Sequence, residues 1–166
     1  MNDDAFTALK KAALIEITAW DRLETSLREE AFALKSQDLS AITHSNIRKD
    51  MAISSVKVAA DNRKKVLSAM GLRLGIKPPF TMERLFDSAT DEQRQEMFSW
   101  QAKFAASGKT INTLNKKNMD SIKTSLAVVS DSISFLANIT QALPSYTSGG
   151  HIPARPLQGR IVSKRG

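Results

Sequence analysis

The chain has 166 residues, 42% of them hydrophobic and 25% charged, with a formal net charge of +7. That length supports one domain with a core and leaves little room for two, and the composition is that of a folded protein. Cysteine is absent, which excludes disulfides, Cys-ligated zinc or iron–sulfur sites and a thiol nucleophile. No cofactor and no metal is expected.

The charge is unevenly placed. Residues 144–166 hold Arg155, Arg160, Lys164 and Arg165 and no acid, so more than half of the excess lies there. In the body, Lys57, Arg63, Lys64 and Lys65 form the cluster most like a nucleic-acid site. A nucleic-acid binder gathers such cations on a folded face with aromatic or amide side chains, and the competing reading is a solvated basic face. No run approaches 18 consecutive apolar residues, so no membrane span is expected. The acidic start, Met1-Asn2-Asp3-Asp4, differs from the positive start of a secretory signal, and a cytoplasmic protein is expected.

From about residue 4 to 35, Leu9, Ala13, Ile17, Trp20, Leu23, Leu27, Ala31 and Leu34 recur at steps of three and four. That spacing lays one apolar stripe along a long helix. Ser36-Gln37-Asp38 interrupts it, and Asp38 is placed to cap a second helix because its side chain competes for free backbone N–H groups. So short a connection makes the two helices antiparallel neighbours.

The second helix is expected over about 39–70, with Leu39, Ile42, Ile53, Val56, Ala60, Leu67 and Met70 on its seam. Asn46, Lys49 and Arg63 fall on or beside that seam, where long cationic side chains are expected to reach out to water. Gly71, Gly75, Pro78 and Pro79 end the helix. Thr81 is expected to cap a short helical turn over about 82–87.

Thr90-Asp91-Glu92-Gln93 is a capping box. The helix it opens is expected over about 91–143, ending before Pro144, with a bend or break at Ser107-Gly108 as one reading of the glycine. Its second half carries Ile122, Leu126, Val129, Ile133, Leu136, Ile139 and Leu143 in one stripe. The fold class is therefore all-α: a long antiparallel helical bundle with an extended last helix. Residues 1–145 form the bundle domain and 146–166 a flexible basic tail.

Candidate sites are few. His44 lies in Thr43-His44-Ser45-Asn46-Ile47-Arg48, without the Lys-Gly that follows a phosphotransfer histidine, and is read as solvent-facing. Trp20 and Trp100 are read as core or bundle-edge residues. No nucleophile motif is recognisable, and no enzyme activity is expected. Unless it folds back near Gly108, the last helix is too long to be covered by the first two along its whole length. Its stripe must then pack on the bundle, pair with a second copy or receive a partner helix.

The order of these segments resembles FlgN-type flagellar export chaperones. The resemblance is carried by Ser36-Gln37-Asp38-Leu39-Ser40-Ala41-Ile42 and by Leu67-Ser68-Ala69-Met70-Gly71. It is carried further by Leu114-Asn115-Lys116-Lys117-Asn118-Met119-Asp120-Ser121-Ile122, with its Asn-x-x-Asn step, and by the close into Tyr146 and Gly149. It covers residues 4–150 and implies a non-enzymatic cytoplasmic chaperone of the flagellar type III export apparatus. Such proteins bind the C-terminal helical segments of the hook–filament junction proteins FlgK and FlgL. Carried over to this chain, the client surface is Ile122, Leu126, Val129, Ile133 and Leu136, and Tyr146 is the residue for docking to the export-gate protein FlhA. The rival readings are a homodimeric coiled-coil adaptor using the same stripe, and a basic helical protein binding nucleic acid. The oligomeric state is left open.

Overall fold

The computed structural model describes residues 3–142, with side chains described through Ile139. The elements in order are α1 (Asp3–Ser36), α2 (Leu39–Arg73), a 3-10 helix (Glu83–Ser88) and α3 (Asp91–Ala142), with no strand among the described residues. The chain divides into two units, residues 1–123 and the part from Thr124 onward. The expected boundary at 145 and the tail 146–166 lie outside the described residues.

The turn between α1 and α2 is built by two residues. Gln37 takes a positive φ of 55°. The Asp38 carboxylate then accepts hydrogen bonds from the backbone N–H groups of Ser40 (2.8 Å) and Ala41 (3.2 Å), the cap its position predicts.

On α1 the apolar stripe turns inward: Leu9, Ala13, Leu23 and Leu27 are buried, and Ile17 and Trp20 are half-buried. The seam of α2 differs from expectation. Its buried residues are Ser45, Ala52, Ala59, Leu67, Met70 and Gly71, whereas Leu39 and Ile53 are 79% and 49% exposed. Ser45, Ala52 and Ala59 recur at heptad spacing and are small, so the two backbones approach closely. Of the expected seam, Leu67 and Met70 are buried and Ile42, Val56 and Ala60 half-buried, so only Leu39 and Ile53 are displaced to the outside.

Two carboxylates of α1 lie inside this interface. Glu16 accepts from Arg63 Nε (2.6 Å) and Nη2 (3.3 Å), and from Trp20 Nε1 (3.4 Å). Glu30 is paired with Lys49. Both glutamates are almost fully buried. Lys49 and Arg63 therefore turn inward rather than out to water, because a buried carboxylate without a counter-charge costs several kcal/mol. The Arg63 guanidinium also lies 5.0 Å from the centre of the Phe104 ring.

The first half of α3 runs alongside α1 in the same direction, as its contacts show. Gln93 bonds Asp3 (3.4 Å), Glu96 pairs with Lys10 (2.7 Å), and Trp100 stacks on Phe6 with ring centres 5.6 Å apart. Further along, Ile111 and Leu114 pack against the Leu23, Leu27 and Ala52 cluster. The helix starts at the capping box: Thr90 N–H donates to Gln93 Oε1 (3.2 Å) and Gln93 N–H to Thr90 Oγ1 (3.3 Å). It passes through Gly108 without a break, since one glycine costs about 1 kcal/mol and the surrounding packing exceeds that.

The segment between α2 and α3 closes one end of the core with Met82, Leu85 and Ala89. Thr81 does not cap the 3-10 helix; Met82 holds that position with no side-chain cap bond. The Thr81 side chain instead bonds the Glu83 carboxylate and, with a backbone N–H and Gln101, holds its pKa below the ordinary value. Phe80 lies against Gly71, where a Cβ would overlap its ring.

Two glycines thus predict opposite effects. Gly71→Ala should destabilise by about 1–3 kcal/mol through overpacking. Gly108→Ala, where a Cβ meets nothing within 4 Å, should stabilise by up to about 1 kcal/mol. Urea denaturation of both variants checks the signs. In the same assay Arg63→Met should cost about 3–5 kcal/mol by leaving Glu16 charged and buried, and the double variant Glu16→Leu/Arg63→Met should recover most of that loss.

Candidate functional site

The covered part of α3 ends at a polar clasp. Asn118 is buried, and its amide donates to the Leu27 carbonyl and to Glu30 Oε2, both at 2.8 Å. Glu30 is also held by Lys49, so one carboxylate ties together all three helices. Asn115, the other residue of the Asn-x-x-Asn step, is exposed. It lies only about 60° around the helix from Asn118, at the solvent edge of the face that meets α1.

From Met119 through Ile139 every residue is exposed. The five sequence-predicted residues lie here, with Leu126 68%, Ile133 61% and Leu136 60% exposed, and Ile122 and Val129 about half so. At about 100° per residue they share one face of the helix. Val128 and Phe135, also more than half exposed, were missed as candidates. With Ile139 they make a second seam, about a third of a turn away from the first. Their signal in the sequence is a second set of apolar residues at steps of seven and four, beside the more regular stripe. The apolar face is therefore about half the helix circumference, much wider than the seam a single packed helix requires. Tyr146 lies outside the described residues.

The remaining candidates carry no site. His44 is exposed, with Nδ1 2.8 Å from the Ser40 carbonyl oxygen. Lys57, Lys64 and Lys65 are exposed, with Lys64 3.6 Å from Asp61, while Arg63 is taken up by Glu16, so acids of the same hairpin offset part of this cluster's charge. Trp100 is buried in the core and Trp20 is half-buried at its edge. Among the described residues no three His, Asp or Glu side chains are grouped to hold a metal ion. No helix among them is long and apolar enough to cross a membrane.

An amphipathic helix with a solvent-facing apolar side is an association surface, and comparison with known proteins names the setting. The family model described as FlgN protein matches residues 1–153. The chain belongs to the FlgN family. Membership makes it a flagellar export chaperone in general terms and points to hook-associated proteins as its class of partner. No curated protein and no solved structure matches the chain.

Proposed function

We propose that this FlgN-family chain is a cytoplasmic chaperone without enzymatic activity that binds the C-terminal helical segments of FlgK and FlgL and hands them to the export-gate protein FlhA. The observation that carries this reading is the exposed seam Ile122, Leu126, Val129, Ile133 and Leu136. Its steps of four and three are those of a helix-in-groove or coiled-coil partner. A client helix laid along it removes apolar surface of both chains from water, at about 25 cal/mol per Å², less the cost of ordering the client segment. In doing so it covers the client's own sticky face, which is the protective act of a chaperone.

Replacing Leu126 and Val129 by Asp tests the surface. Both side chains are exposed, so helicity and melting temperature should be unchanged. Affinity for a labelled C-terminal FlgK segment, followed by fluorescence anisotropy, should fall by about a hundredfold or more, since two charges would be buried without partners. Undiminished binding places the client elsewhere.

Delivery is assigned to the region after α3, on the family resemblance and on the charge of residues 144–166, four basic side chains and no acid. Tyr146 serves as the anchor and the cations as a salt-sensitive contact with an acidic partner surface. Deleting residues 147–166 should leave client affinity intact and weaken association with FlhA, most visibly at low salt. Tyr146→Ala in the full chain should weaken the same association at all salt concentrations. Equal FlhA binding by all three proteins removes the gate from this segment.

A further inference from the structure

A second unpartnered apolar surface lies on the hairpin itself. Between α1 and α2 runs an open groove of about 850 Å³, and no residue of α3 lines it. Its apolar lining includes Leu14, Ile15 and Val58, which are 44%, 48% and 70% exposed. Its charged lining is Lys10, Lys11 and Arg22, with no acid. Lys10 pairs with Glu96, whereas Lys11 and Arg22 form no ion pair among the described residues.

We propose that this groove is the seat for the last part of α3 from a second copy of the chain, entered through the Val128, Phe135 and Ile139 seam. Three features select that occupant. The first is charge. From Thr124 to Ala142 the one charged residue is Asp131, which lies beside Phe135 at the margin of the apolar arc by helical geometry. It forms no ion pair among the described residues and is matched by the free Lys11 and Arg22. The chain's own basic segment, residues 144–166, has four cations and no acid and is repelled by the same groove.

The second feature is length. Val128 to Ile139 spans about 17 Å, which fits within the roughly 22 Å from Thr7 to Arg22 along the groove wall. The third is the width of the apolar arc. The Ile122-to-Leu136 seam leaves Val128, Phe135 and Ile139 in water, so a single partner helix does not cover the face. Each copy carries both a helix and a groove, and in the proposed dimer the two chains exchange them reciprocally. This dimer uses a seam different from the proposed client seam and does not rest on the client reading.

The test takes advantage of a chain without cysteine. Sedimentation of the full chain over a wide concentration range should show a monomer–dimer equilibrium. Val58→Glu and Phe135→Glu, both at exposed positions and checked for unchanged helicity, should each abolish the dimer over that range. Asp131→Lys should raise its dissociation constant by about tenfold. Under mild oxidation, Val58→Cys mixed with Phe135→Cys should give a mixed disulfide dimer in far higher yield than either variant alone. A wild-type chain that stays monomeric throughout overturns the proposal. So does a dimer that persists in Val58→Glu, which is the outcome for stripe-against-stripe pairing, or cross-linking of each cysteine variant alone as fast as the mixture. FlgK-segment anisotropy with Val58→Glu reads the client function separately, since that residue is outside the client seam.

Discussion

The arrangement of this protein depends on two carboxylates that are out of water. Glu16 and Glu30 stand two heptads apart on α1, and the cations that neutralise them, Arg63 and Lys49, stand two heptads apart on α2. Only one antiparallel register satisfies both pairs. Sliding the hairpin by a turn would leave two buried negative charges without partners, each costing several kcal/mol. The apolar contacts of α2 are poor at enforcing register, because its seam includes the small residues Ser45, Ala52 and Ala59. Close approach comes from the small side chains and alignment from the charges.

The same carboxylate, Glu30, reaches the third helix through Asn118. This is where the character of α3 changes. Before Asn118 the helix contributes Met97, Trp100, Ile111 and Leu114 to the two core clusters; after it, all described side chains are exposed. An amide bonded to both a backbone carbonyl and a buried carboxylate has no other comparable environment along α3, so it fixes the helix lengthwise as the two ion pairs fix the hairpin. Membership of a chaperone family gives a physical reason for the exposed half. A surface that is apolar over about half a helix is poorly tolerated in a protein that acts alone, and it suits one that lends that surface to other chains.

Much of this was legible in the residues, and the reading failed where small or charged side chains were involved. The α1 stripe, the Asp38 cap and the Thr90–Gln93 box were readable because each is a local pattern whose partners lie within one or two helical turns. Leu39 and Ile53 were placed on the α2 seam because they are large and apolar, yet they face outward, since the seam had already been closed by Ala52 and Ala59. Glu16 and Glu30 went unnoticed within the α1 stripe, since a carboxylate is ordinarily counted as solvated until its counter-charge is located. Thr81 was assigned a cap and instead bonds Glu83. Val128 and Phe135 were present in the pattern and obscured by the more regular stripe beside them.

The sequence by itself determined the all-α class, the starts of the second and third long helices, and the apolar face after residue 119, because helix periodicity and capping act between residues close along the chain. Only the tertiary structure decided which face of α2 meets α1, where Lys49 and Arg63 point, which asparagine of the pair turns inward, and that α3 continues through Gly108. Each of these depends on residues tens of positions apart coming within a few ångströms. There, the desolvation of a charge or the small size of an alanine outweighs the preference of any single residue.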